Sequence, residues 1–156
     1  MKPFSKILVP HDFSDAGQQA VAVASDMARR YEASILLLHV HQTMLYSAPD
    51  SFILYSSEQI TELMKSFEAQ LATVQQTARA AGALQVDTKV IQGTPVAEIV
   101  NFARDGGYDL IVMGTHGRSG LSHALIGSVA ERVVRKAHCP VLTVRMLDAK
   151  GEARHE

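Results

Sequence analysis

The chain has 156 residues, 47% of them hydrophobic and 20% charged, with a formal net charge of −1. This length suits one compact domain rather than two, and this composition excludes a disordered polyelectrolyte. The near-neutral balance offers no basic face for nucleic acid, and the single cysteine, Cys139, excludes an intramolecular disulfide and a cysteine metal cluster.

The start, Met1 to Pro10, carries Lys2 and Lys6 and only a short apolar run, Ile7-Leu8-Val9. It reads as no signal peptide, and no segment approaches the roughly 20 apolar residues that span a bilayer. The expected compartment is the cytoplasm, without membrane insertion. Lys6-Ile-Leu-Val-Pro10 is the first predicted strand. A helix follows, with Ala20, Ala24, Met27, Ala28 and Tyr31 at helical spacing after the capping pair Ser14-Asp15. Ser34-Ile-Leu-Leu-Leu-His-Val40 is the second strand, and 42–55 is a longer connection with Tyr46, Phe52 and Tyr55. That connection reads equally as a lid, a partner surface or a loosely packed crossover.

A long stripe, Ile60, Leu63, Met64, Phe67, Leu71, Val74 and Ala78, predicts the second helix, opened by a Ser56/Gln59 capping box and closed near Gly82. Val86 to Ile91 alternates in polarity, as expected of a strand near a sheet edge. Thr94-Pro95 opens a third helix and Gly106-Gly107 ends it. Asp109-Leu-Ile-Val-Met113 is the fourth strand, Val129, Val133, Val134 and Ala137 mark the fourth helix, and Pro140-Val-Leu-Thr-Val144 is the fifth strand. The first, second and fourth strands are continuously apolar, as parallel strands covered on both faces are. The order βα, βα, βα, βα, β predicts a three-layer α/β/α sandwich around a five-stranded parallel sheet. Residues 1–146 are expected to form that single domain, and 147–156 a polar, flexible tail.

Ligands of open parallel sheets sit beyond the carboxyl ends of the strands, where strand order reverses. Of the loops there, 114–128 has four glycines, three serines and two histidines, and leads directly into a helix. Glycines let backbone N–H groups approach an oxyanion, and Gly127-Ser128 begins a helix whose first amides lack partners. Arg118 and His116 add positive charge nearby. A hinge loop with an ordinary serine cap explains the same composition equally well. The run matches neither the dinucleotide fingerprint nor the P-loop.

Gly114-x2-Gly117-x9-Gly127-Ser128 resembles the Gly-x2-Gly-x9-Gly-[Ser/Thr] motif of the nucleotide-binding branch of the universal stress proteins. The resemblance runs from Ile7-Leu-Val-Pro-x-Asp-Phe-Ser14 to Ala137-His-Cys-Pro-Val-Leu-Thr-Val144. It implies strand order 3-2-1-4-5, a Rossmann-like fold of the adenine nucleotide alpha hydrolase kind, with the switch point between the first and fourth strands. It implies ATP, or AMP or ADP, with Mg2+ or Mn2+ as accompanying cation. Asp12 and Val40 would meet the adenine, Pro10 and His11 would line the base pocket, and Met113 with Gly114 would flank the ribose. Gly117, Gly127, Ser128 and Val129 would take the phosphates, largely through backbone amides, with Arg118 beside them in sequence as a candidate positive charge. Members commonly dimerise through their last strands, here Val141 to Val144. One departure stands out: His11 occupies a position where many members have a small or apolar residue, which implies a narrower adenine pocket or an altered pH response.

Each residue also has a plainer reading. Asp12 is a helix-entry cap or a base-reading group, the strand-end position favouring the second. Val40 is a core residue whose ligand contact would use its backbone. His39 and His41 are read as pointing to opposite faces, hence as separate structural residues rather than a metal pair. His116 and His123 are read as solvent-exposed loop histidines, and Cys139 as a buried small hydrophobe. Near the glycine loop the only acidic candidates are Asp12 and Asp109, so no catalytic constellation is identified. The expected role is a nucleotide-binding stress sensor or regulator, at most a slow ATPase. The competing readings are an adenylating or phosphoryl-transferring enzyme and an interaction protein with a vestigial pocket.

Overall fold

The computed structural model of the chain describes residues 4–42, 47–48, 51–52, 56–115 and 126–145. The elements are β1 (Lys6–Pro10), α1 (Asp15–Tyr31), β2 (Ser34–His41), β3 (Ser47–Ala48), β4 (Ser51–Phe52) and α2 (Ser57–Ala80), then β5 (Val86–Gln92), α3 (Pro95–Asp105), β6 (Leu110–Gly114), α4 (Ser128–Lys136) and β7 (Val141–Val144). Five strands form one parallel sheet in the order β5-β2-β1-β6-β7, which is 3-2-1-4-5 when the long strands alone are numbered. The sequence does not announce the small antiparallel pair β3-β4 within the 42–55 connection. Tyr46, Tyr55 and 146–156 lie outside the described residues.

Chain-order connectivity decides which face each helix covers. α1 and α2 bury Ala20, Ala24, Ala28, Leu71, Val74 and Ala78 against Ile7, Val9, Ile35 and Leu37. On the other face, Ile99 and Ala103 of α3 and Ala130 and Val133 of α4 pack on Leu8, Leu38, Ile111 and Met113. Successive residues of β1 thus point alternately into two cores, which explains why its sequence is apolar without interruption. Each such buried aliphatic side chain contributes about 1.5–3 kcal/mol of transfer free energy. The alternating strand, β5, is indeed an edge strand.

The helix termini follow the sequence closely. Ser14 caps α1 by accepting the Gly17 amide, while Asp15 sits in the first turn. At α2 the capping box closes in both directions, Gln59 N donating to Ser56 Oγ and Ser56 N to Gln59 Oε1. Pro95 occupies the first turn of α3, whose Thr94 cap makes no side-chain hydrogen bond. Three stripe residues leave the core. Tyr31 is 45% exposed and packs edge-on against Phe4 instead, and Val129 and Val134 are exposed because the short α4 turns only Ala130 and Val133 inward.

Candidate functional site

β1 sends its chain to α1 on one face, whereas β6 leads towards α4 on the other. The two connections diverge at the carboxyl ends of these neighbouring strands and leave a cleft of about 230 Å³. Pro10, Met113 and Gly114 line it from the strand ends, and Leu38 and Val40 from β2. Gly127, Ser128, Val129 and Ala130 bring the start of α4 to it, and His11 and Asp12 the turn after β1. Nine of the eleven residues singled out in the sequence meet there; Gly117 and Arg118, like His116 and His123, lie outside the described residues.

One end of the cleft suits an anion. α4 has Gly127 at its N-cap, with no side-chain cap among the described residues, so Ser128, Val129 and Ala130 supply the first amides of the helix, the ones that a helix cannot bond internally. The Gly127 amide itself is committed to the Thr115 carbonyl at 2.6 Å, and the Thr115 amide to Val144 O at 2.9 Å. Residues 115 and 127 are thereby tied together at the base of the glycine loop. The backbone donors at this end come from Ser128 to Ala130 rather than from Gly127.

The other end is built from the turn 11–14. His11 N donates to Leu38 O at 2.9 Å, and the His39 ring bonds the His11 carbonyl through Nδ1 at 2.8 Å. Phe13 stands in the left-handed region, φ 64°, with its amide donating to His11 Nδ1 at 3.1 Å. Ser14 donates to Asp12 Oδ1 from both its amide and its hydroxyl. Asp12 therefore joins cap support and cleft lining in one residue. His11 lines the cleft but is only 3% exposed, with its ring edge-on against Phe13, so little of it is open to solvent. Because Nδ1 accepts, the neutral ring carries its proton on Nε2, a buried atom with no hydrogen-bond partner among the described residues. Burial holds the His11 pKa down to about 4; the neighbouring Asp12 charge opposes that shift and His39 adds to it.

Three sequence expectations change. His39 and His41 share a face, since residues two apart in a strand do. Both rings lie on Phe67 of α2, at 4.4 and 5.1 Å between centroids. Among the described residues no group of three or more histidine, cysteine or carboxylate side chains could hold a metal. Asp109 is not near the glycine loop: it precedes β6 at the opposite end of the sheet, accepting Ser5 N, Ser5 Oγ and Lys6 N. Burial raises the Asp109 pKa, but those hydrogen bonds outweigh it and leave the carboxyl below its ordinary value. Cys139 is half-buried beside the second core rather than enclosed, and burial raises its thiol pKa.

Sequence reasoning missed Gly17, Leu38, His39 and Ala130, and Pro95 and Ile99 of α3, as lining residues. Thr115 adjoins the glycine motif and was legible there. Pro95 and Ile99 come from the crossover that jumps β2 and β1, and nothing local marks them.

Comparisons with known proteins agree with this architecture. The model of the universal stress protein family matches residues 3–145. Universal stress protein MJ0531 of Methanocaldococcus jannaschii is 39% identical over 144 residues, spanning 91% of this chain and 82% of that protein. The solved structure of protein MJ0577, also a universal stress protein of that organism, superposes with a TM-score of 0.80 at 29% identity, covering 94% of this chain and 99% of the other. A universal stress protein solved in complex with cAMP superposes with a TM-score of 0.71 at 26% identity, covering 92% and 98%. No helix among the described residues is long and apolar enough to cross a membrane. With five parallel strands in this order, helices on both faces and a family match over nearly its whole length, the chain belongs to the universal stress protein family.

Proposed function

We propose that this protein holds an adenine nucleotide, ATP in the first place and AMP or ADP as alternatives, in the β1/β6 cleft and acts as a cytoplasmic stress sensor or regulator. The observation that carries the reading is the polarity of the cleft. The opening residues of α4, Ser128, Val129 and Ala130, line it on one side, and Asp12 with Val40 line it at the ends of β1 and β2. The first suits a phosphate chain. The second suits a base with an exocyclic amino group, because a carboxylate accepts from an amine and repels a carbonyl oxygen. Pro10 would flank the base, and Met113 and Gly114 the ribose. Gly117 completes the motif in sequence and Arg118 follows it, with Mg2+ or Mn2+ accompanying the phosphates. The relative solved with cAMP supports an adenine nucleotide as ligand class. Holding rather than rapid turnover is favoured because the carboxylate near the anion end that chemistry would require is missing among the described lining residues.

Titration calorimetry with ATP, AMP and GTP, with and without Mg2+, tests this reading. ATP should bind, GTP at least about tenfold more weakly, and bound ATP should persist for hours. Gly127→Val should abolish binding by placing a branched side chain at the phosphate end. Absence of binding by every nucleotide, or unchanged affinity in Gly127→Val, would sink the assignment.

A further inference from the structure

We propose that His11 is a positioning residue for base recognition: by accepting the Phe13 amide on Nδ1 it fixes the left-handed turn that presents the Asp12 carboxylate to the cleft. This rests on the adenine-nucleotide reading above and names what sets its base selectivity.

The turn is costly as built. A phenylalanine at φ 64° stands in the left-handed region that L side chains disfavour, so something must hold it. Two things do. The Phe13 amide is bonded to His11 Nδ1, and the Phe13 ring lies 4.6 Å from His39 and stacks on Phe67, with centroids 5.9 Å apart and planes 8° from parallel. Asp12 is the residue between the two ends of the His11–Phe13 bond. Its Oδ1 is taken by Ser14, the next residue beyond the turn, so the direction of the carboxylate follows the backbone of 11–14.

His11 is itself anchored twice to β2, by its amide to Leu38 O and by its carbonyl to the His39 ring. Its ring thus transmits the position of the sheet to a carboxylate that the ring does not support directly. The other nitrogen shows that this placement was not chosen for stability. Nε2–H is buried without an acceptor among the described residues, a penalty that an apolar residue of similar size would not carry. What an apolar residue lacks is the Nδ1 acceptor.

The experiment compares ATP with ITP, which differ at the 6-amino position facing Asp12, in calorimetric titrations of the wild type, His11→Asn and His11→Leu. Asparagine places Oδ1 where Nδ1 stands, so His11→Asn should keep a preference for ATP of about tenfold or more, whereas His11→Leu should bring the two affinities within about threefold. Melting temperatures of the two variants should not follow that order, because both remove the orphaned Nε2 but only asparagine buries a new amide donor, Nδ2, in its place. A wild type that binds neither nucleotide overturns the nucleotide reading and this inference with it. A wild type that prefers ATP, with a His11→Leu variant that prefers it equally, overturns the positioning role alone. Should His11→Leu fail to fold, long-range 1H–15N spectra of the wild type decide the geometry: a bare Nδ1 and a protonated Nε2 are expected, and a proton on Nδ1 refutes the clamp.

Discussion

His11 shows how one buried ring couples stability to pH. Its folded pKa of about 4 lies below the ordinary 6.5, so between these values the unfolded chain binds a proton that the native chain refuses. Stability is therefore full above pH 6.5, falls as the pH drops towards 4, and loses no more to this group below that. The shift corresponds to about 3 kcal/mol across the window. The groups facing the ring are Asp12 in the turn and His39 on β2; α1 presents only the glycine backbone at Gly17, and Phe67 of α2 closes the aromatic cluster behind Phe13 and His39. Urea unfolding at pH 7 and pH 4.5 should show a smaller loss for His11→Asn than for the wild type. Equal losses would mean that His11 is not held neutral by burial.

Between elements, contact distances decide what a residue type means. Gly114 reads in the sequence as the first glycine of a phosphate loop, yet its glycine is also demanded by α1. A Cβ there would sit 2.9 Å from the Ala16 carbonyl carbon and Cβ and 3.0 Å from Ala16 O. The strand cannot yield, because β6 pairs with β1 on one side and β7 on the other. Gly114→Ala should therefore displace the first turn of α1 and cost about 1–3 kcal/mol, lowering the melting temperature by several degrees. An unchanged melting temperature would show that α1 and β6 do not meet at this point. Gly17 has a related role: a Cβ would stand 3.2 Å from both Asp12 Oδ1 and His11 Nε2, so a side chain there would press on the turn that lines the cleft.

For the whole molecule the open question is what covers the outer edge of the sheet. Among the described strands β7 pairs with β6 alone, and Leu142 is 37% exposed on it. Unpaired strand edges seek partners, and pairing of two copies through Val141–Val144 would satisfy this one. Sedimentation velocity at tens of micromolar should find a dimer for the wild type and a monomer for Leu142→Lys. A monomeric wild type removes the proposed interface.

Sequence alone determined the alternation of strands and helices, the covered strands β1, β2 and β6, the alternating edge strand β5, and the caps at Ser14 and Ser56. These are local properties: they depend on which side chains recur every second or every 3.6 residues and on a few capping donors, all within reach along the chain. The candidate cleft was legible to the same extent, because strand ends and a glycine run before a helix can be read in order. Tertiary structure decided the rest, since it depends on groups far apart in sequence. It laid Phe67 of α2 over the face that His39 and His41 share by strand periodicity, and carried Asp109 to the far end of the sheet. It added Pro95 and Ile99 to the cleft and engaged the Gly127 amide with Thr115. His11 marks the boundary between the two. Its identity was plain from the start, but which nitrogen accepts, what it holds in place and how far burial lowers its pKa follow only from the packing of β1, β2, α1 and α2 around it.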